Sequence, residues 1–329
     1  METALKLLPD PADAENLRRH APLHAPSIVK ASKLKLSPKS NVAQGLRAII
    51  VNCLAQIQGN ETGVAHGNDP ESVHQMRIGL NRLLSALGVF SDVITCPRTL
   101  HAELKWLTRE LGAVRDWEVL AGVTLPDIIA AHSGQPELLR LQKACMQRAQ
   151  NKRRHIAAVI NSIRYSRLIL SCGNWAHGTD FGMHSSSPMH KKLAQPLAKF
   201  AMKILEQRHK KLQKKIRLLR DAEANDTPQV QHQLRKAAKK SRYAIEFFKS
   251  LFPAKRLQPC LKTLTTFQAV SGRMNDASVA MELLHSLGEE RAYLAQAAGF
   301  SNGYLTIHRE SDAGKLDKYC KRLATRCQI

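Results

Sequence analysis

Apolar residues recur at three- and four-residue spacing in eight stretches: 41–58, 71–91, 99–121, 136–170, 193–220, 229–252, 256–272 and 275–298. That period gathers them on one side of an α-helix. Alternating runs that would predict strands are nearly absent beyond residue 40, so the pattern predicts an all-α architecture. Residues 1–22 read differently. ETALKLL alternates like a short strand, Pro9-Asp10-Pro11 breaks it, and Asp10 or Asp13 can cap a short helix over ADAENLRRH. Pro22, Pro26 and Pro38, with Ser and Lys between them, make 23–40 read as a linker. A second break at 171–190, SCGNWAHGTDFGMHSSSPMH, is rich in Gly, Ser and His. It divides the helical region into a first bundle at about 41–175, a linker at 176–190 and a second bundle at about 191–326. His177, His184 and His190 stand in this break without cysteine or carboxylate partners at ligand spacing, so it reads as a solvated linker and no metal is predicted.

The two halves repeat. VHQMRIGLNRLLSALGVF (73–90) aligns with QHQLRKAAKKSRYAIEFF (231–248), pairing His74 with His232, Arg77 with Arg235, Arg82 with Lys240 and Phe90 with Phe248. LGAVRDWEV (111–119) aligns with SGRMNDASV (271–279), pairing Asp116 with Asp276. The offsets, 232 − 74 = 158 and 276 − 116 = 160, are nearly equal. This indicates an internal duplication and predicts two similar helical bundles facing each other across a pseudo-twofold axis.

On a helix at 100° per residue, His74, Arg77, Ile78, Asn81, Arg82 and Ser85 fall on one side, and Met76, Leu80, Leu83, Leu87 and Phe90 on the other. In the second copy His232, Arg235, Lys236, Lys239 and Lys240 line the polar side, and Leu234, Ala238, Ile245 and Phe248 the apolar one. Each helix therefore turns an apolar face inward and a cationic face outward. Between Lys203 and Arg242 stand 13 Lys/Arg against four acids, Glu206, Asp221, Glu223 and Asp226. Surface helices normally interleave the signs to gain i,i+4 pairs. Here like charges stand together, an arrangement that an anion relieves. Further basic stripes at helical spacing are Arg208, Lys211 and Lys215; Arg148, Lys152 and His155; and Lys315, Lys318, Arg322 and Arg326. Asp116 and Asp276, each shortly after a glycine near an expected helix junction, read as helix caps or as groups that orient a His or Arg of the basic face. The histidines are open between satisfied polar residues and direct phosphate ligands.

Charge gives the same picture for the whole chain. Fifty Lys+Arg against 27 Asp+Glu give a formal charge of +23 over 329 residues. That predicts a polyanionic partner: nucleic acid, anionic lipid or a phosphate polymer. Hydrophobic residues at 43% suffice for a sizeable core, while aromatics at 5% disfavour any function that needs stacking platforms. Seven scattered cysteines without a CxxC argue against a disulfide framework or zinc site, and the thiols are expected to be reduced. No apolar run approaches the roughly 18–20 residues that span a bilayer, and the first 20 residues lack the form of a secretory signal. The chain thus reads as soluble and cytoplasmic. GxxxxGK[ST], HExxH and GxSxG motifs are absent, which leaves no catalytic candidate beyond the two aspartates.

VHQMRIGLNRL, LGAVRDWEVL, VQHQLRKAAKKSRYAIEFF and GRMNDASVAMELL together resemble the paired motifs of the CHAD domain, the conserved-histidine α-helical domain, over about residues 41–325. The resemblance implies two four-helix bundles related by pseudo-twofold symmetry, a basic groove between them that binds inorganic polyphosphate, and a place on bacterial polyphosphate granules. By position, His74, Arg77, Arg82, His232, Arg235, Lys239 and Lys240 inherit the binding role, with Lys236 and the stripes at Arg148 and Lys152, at Arg208, Lys211 and Lys215, and at Lys318 and Arg322 joining them. Asn81 stands where the family usually has a basic residue, which implies a weaker first half. ETALKL and PADAENLRRH resemble the opening of a CYTH domain, the triphosphate tunnel fold. Its ExExK motif has become Glu2-Thr3-Ala4-Leu5-Lys6, and about 20 residues leave no room for a barrel, so the piece reads as a vestige.

The expected function is non-enzymatic polyphosphate binding without a cofactor. A phosphate polymer has no bases and calls for rows of cations rather than rings. A nucleic-acid binder is the alternative, although single-strand binders interleave aromatics with their basic residues. A polyphosphate hydrolase would need carboxylates holding Mg²⁺ beside the chain. A membrane-surface role would need exposed apolar helix faces, which here are required for the core.

Overall fold

The structure, a computed structural model, describes residues 27–132, 135–178, 188–221 and 227–327. The strand-and-helix piece expected at 1–22 lies outside them, as does His184. The described chain is built of helices: α1 (Val42–Gln58), α2 (Glu61–His66), α3 (Pro70–Val89), α4 (Arg98–Val119), a π-helical turn (Leu120–Thr124), α5 (Leu125–Ala131), α6 (Pro136–Ile160), α7 (Ile163–His177), α8 (Pro188–Leu193), α9 (Leu197–Arg220), α10 (Thr227–Phe248), α11 (Ala254–Glu290) and α12 (Ala295–Arg326). No strand occurs among the described residues, and none of their helices is long and apolar enough to cross a membrane.

Local chemistry sets the key starts. Asn41 and Gln44 close a reciprocal capping box ahead of α1, each side chain accepting from the other's backbone N–H at 3.0 and 2.9 Å. Asp69 accepts from the Glu71 N–H at 2.8 Å and Pro70 opens α3, fixing the helix that carries the first motif. Gly79 lets α3 lie close on α1, because a Cβ there would fall 2.8 Å from Ile57 Cγ1. The residues ahead of α1 and α9 pair antiparallel: the Val42 N–H donates to Gln195 O at 3.0 Å and the Leu197 N–H to Ser40 O at 2.9 Å.

The apolar faces read from the repeat are the ones buried. Met76, Leu80, Leu83, Leu87 and Phe90 of α3, and Leu234, Ala238, Ile245 and Phe248 of α10, are all in the core. α3 packs against α10, and α4 against α11. Phe90 and Phe248, matched by the repeat, have ring centroids 6.0 Å apart, with Phe200 stacked 5.0 Å from Phe90. Two apolar clusters form, and each draws on both sequence halves. The larger takes α1, α3, α7, α9 and α10 with one end of α4, α6, α11 and α12. The smaller takes the π-helical turn, α5 and the other ends of those four long helices.

Several local expectations are corrected. The stretches 256–272 and 275–298 do not end at their shared break: α11 runs through Gly272 to Glu290, since one glycine costs a helix only about 1 kcal/mol. The stretch 136–170 divides at Asn161–Ser162, where Ser162 caps α7 by accepting from the Tyr165 N–H at 3.2 Å. α7 continues to His177, so the second break starts later than 171. The segment expected as a linker at 23–40 is docked from residue 27. The Val29 N–H donates to Asn60 Oδ1 at 3.2 Å, and the Leu36 N–H donates to Ser250 Oγ at 3.0 Å. Finally, the expectation that every thiol is reduced fails for Cys260 and Cys327, which form a disulfide. They lie 67 residues apart and meet because α11 and α12 pack side by side.

Candidate functional site

α10 carries Arg235 and Lys239 on one i,i+4 row and Lys236 and Lys240 on the next. The first row faces α3 and the second faces α9. Lys239 feels Arg77 of α3 together with Arg235 and Arg242; burial and these three cations bring its ammonium down to about 8. Arg235 is likewise lowered by burial and by Arg77, against the pull of Asp276. Lys240 is lowered by burial and by Arg208, Lys211 and Lys236. The result is a cationic band across α3, α10 and α9. Beneath it lies Tyr243, only 2% exposed, with Lys239 Nζ 5.9 Å and the Arg242 guanidinium 4.8 Å from its ring centroid.

The histidines sit at the edges of this band. His74 is half-buried, and its Nδ1 is buried without a hydrogen-bond partner. Burial, then Arg115 and Arg77, hold its imidazole below the usual value, while Glu71 and Asp276 oppose. The exposed His232 is lowered by burial and by Lys236 and Arg235. It lines a cleft of about 660 Å³ shared with Arg235 and Arg309.

Asp116 and Asp276 come together. Both line a cavity of about 80 Å³ with His74, Arg77 and Arg115. Burial and Asp276 push the Asp116 carboxyl up, against Arg77 and Arg115. The helix-cap reading of these residues is corrected, since Asp116 lies in the last turn of α4 and Asp276 in the interior of α11. They act from helix sides on the cations of the motif helices. Among the described residues no group of three or more His, Cys, Asp or Glu could hold a metal ion.

Other predicted residues take other places. Arg82 does not join the cationic face, and that expectation is corrected. It is 5% exposed, with Nη1 donating to Gln56 Oε1 at 2.7 Å and Nη2 to Asn52 Oδ1 at 2.6 Å. Asn81 turns its side-chain amide back onto the Arg77 carbonyl at 2.9 Å. Arg208 donates to Gly88 O at 2.8 Å, beside the end of α3. Lys215 donates to Gln233 Oε1 at 2.5 Å. Arg148 pairs instead with Glu290, beside the smaller apolar cluster, and Lys152 lies one turn further along α6. His155 of the same stripe is bound to Glu110 at 2.9 Å. Lys318 is exposed on α12, and Arg322 lines a separate cleft described below. Arg115 and Arg242 were missed as site residues. Arg115 stood next to Asp116 in a repeated motif, a usable signal; Arg242 is also ion-paired to Glu246 at 2.7 Å.

A family model for the CHAD domain matches residues 48–285. The crystal structure of the CHAD domain from the plant Ricinus communis is similar over 91% of this chain and 97% of that one, at 35% identity and a TM-score of 0.80. PptA from Streptomyces chartreusis shares the fold at 15% identity and a TM-score of 0.59, over 86% of this chain and 100% of that one. No curated protein matches the chain.

Proposed function

The chain belongs to the CHAD domain family, and on that premise we propose that it binds inorganic polyphosphate along the band formed by α3, α10 and α9. In this reading it is a receptor rather than an enzyme, and it resides with polyphosphate granules in the cytoplasm. The observation that carries the proposal is the meeting of Arg77, Arg235 and Lys239, from both sequence halves, in a band where burial first, and then the neighbouring cations, lower the proton affinity of Lys239. Holding these cations together costs the unliganded protein, and a row of phosphates removes that cost. Two further features support it. Tyr243 is buried under the cations and offers no face on which a base could stack. Asp116 and Asp276 share their cavity with Arg77 and Arg115, which supply the counter-charge that a hydrolase would assign to metal. Arg235, Lys239, Lys236, Lys240, Arg77 and Lys211 hold phosphate oxygens. His74, with its free Nδ1, donates once protonated.

Proton uptake tests this reading. At pH 8 Lys239 is about half-charged, and a polyanion favours its charged form. Calorimetric titration with polyphosphate in buffers of different ionisation enthalpy should therefore show protons taken up on binding at pH 8. Lys239→Arg should abolish the uptake while retaining affinity; binding without uptake in the native protein would remove Lys239 from the site. Without ligand the sign is opposite for stability. The lowered folded-state value means that the unfolded chain binds more protons between about 8 and 10.5, so this group's contribution to stability rises with pH in that window.

A further inference from the structure

The first turns of α11 and the last turns of α12 enclose a cleft of about 620 Å³ that lies outside the band on α10. Its wall carries Lys255, Lys262, Arg322 and Arg326 and, among the described residues, no carboxylate. Other clefts carry acids. Glu282 and Glu310 line the one beside His232, Asp127 and Asp312 line the one between α5 and α12, and Glu246 stands among the cations of the one at Lys30 and Lys249. Nor do the cations of this wall find acids nearby. Asp317, close by on α12, is paired with Lys321 at 2.7 Å, and none of Lys255, Lys262 or Arg326 meets a carboxylate among the described residues.

Ordinary helix electrostatics explains only half of this arrangement. Arg322 and Arg326 stand in the closing turns of α12, where cations complement the dipole. Lys255 stands in the opening turn of α11, where unpaired N–H groups already carry partial positive charge. Arg256 follows it, and α11 has no acid before Asp276. Four cations facing one another across a cleft in this way are repulsive unless an anion sits between them. The walls are also fixed. The Cys260–Cys327 disulfide ties the first residue after α12 to the second turn of α11, so repulsion cannot splay them.

We infer that this cleft is a second phosphate-binding site, which takes a short run of an inorganic phosphate chain. The chemistry follows from the wall. Its four Lys and Arg charges suit a small, densely charged oxyanion, and Gln258 adds a side-chain amide donor; the one ring on the wall, Tyr319, lies with the Arg322 guanidinium 5.8 Å from its centroid. The inference extends the polyphosphate reading by giving each molecule two points of attachment, and the two can fail separately.

The probe is inorganic tripolyphosphate, titrated calorimetrically at low salt into the full chain. The native protein should bind two equivalents. A cleft variant, Lys255→Gln, Lys262→Gln, Arg322→Gln and Arg326→Gln, should bind one. The variant lacking Arg235, Lys239 and Lys240 should also bind one, at the cleft. A control variant losing four exposed cations elsewhere, Lys105, Arg109, Arg140 and Lys143, should still bind two. If the quadruple cleft variant does not fold, Lys262→Glu alone should weaken the cleft site at least tenfold. One native equivalent that survives in the cleft variant would overturn the cleft and leave the α10 reading intact. One equivalent lost only in the cleft variant would overturn the α10 reading and keep the cleft. Two equivalents in the folded cleft variant, or equal losses in the control, would overturn the inference.

Discussion

Replacing Arg235, Lys239 and Lys240 with alanine lowers polyphosphate affinity by roughly three orders of magnitude without loss of helicity. The size follows from counting contacts. A hydrogen bond to a charged group is worth about 1.5 kcal/mol or more, close to tenfold in affinity, and three are removed. The fold is spared because the apolar cluster is built from other residues of α10. Those on the inner face, Leu234, Ala238, Ile245 and Phe248, are untouched. Removing the cations also relieves repulsion, since Lys239 faces Arg77 and Arg242 while Lys240 faces Arg208 and Lys211. Thermal stability of the unliganded variant should therefore equal or exceed that of the native chain. Circular dichroism and calorimetric titration measure both halves of this expectation. A folded variant with unchanged affinity would move the site elsewhere.

Arg82→Ala gives the reverse result: stability falls by about 3 kcal/mol, and affinity per folded molecule is unchanged within about twofold. The motif repeat pairs Arg82 with Lys240, yet the two side chains do different jobs. The Arg82 guanidinium joins α3 to α1 through Gln56 and Asn52, and Gln56 in turn donates to Gln75 Oε1 at 2.9 Å. It also lies 5.9 Å from the ring centroid of Phe247 in α10. Alanine leaves the Gln56 carbonyl buried without its donor and opens a void beside Phe247. Chemical denaturation should report the loss, with a fall of about 4 °C in the midpoint of thermal unfolding, at roughly 1.5 °C per kcal/mol for a chain of this size. An unchanged midpoint would show that the buried network is not what holds α1 to α3.

Arg82 also shows how far the sequence could be read. Helical periodicity located the apolar faces; that Phe90 and Phe248, aligned by the repeat, lie with ring centroids 6.0 Å apart came only from the fold. The same projection grouped Arg82 with Arg77, although five residues place them about 140° apart on a helix. Size and charge drew it to the polar side; the buried amides of α1 drew it inward. Asp116 and Asp276 were legible as a pair but not as side-on groups, because glycines upstream suggested helix ends and α11 accommodates Gly272 in mid-helix. The Cys260–Cys327 bond was invisible, since nothing local marks residues brought together by the packing of two long helices. The docked segment around Val29 and Leu36 was hidden for a similar reason. Its prolines signal an absence of helix, and only tertiary contacts supply the hydrogen bonds that fix it.

The most direct test of the central claim is calorimetric titration of the native chain with long-chain polyphosphate at two salt concentrations, with RNA as competitor. The account predicts tight binding that weakens steeply as salt rises, through release of counterions, and that RNA does not displace. Equal binding of RNA, or binding of neither polymer, would contradict it and would leave the cationic band of α3, α10 and α9 without the partner proposed for it.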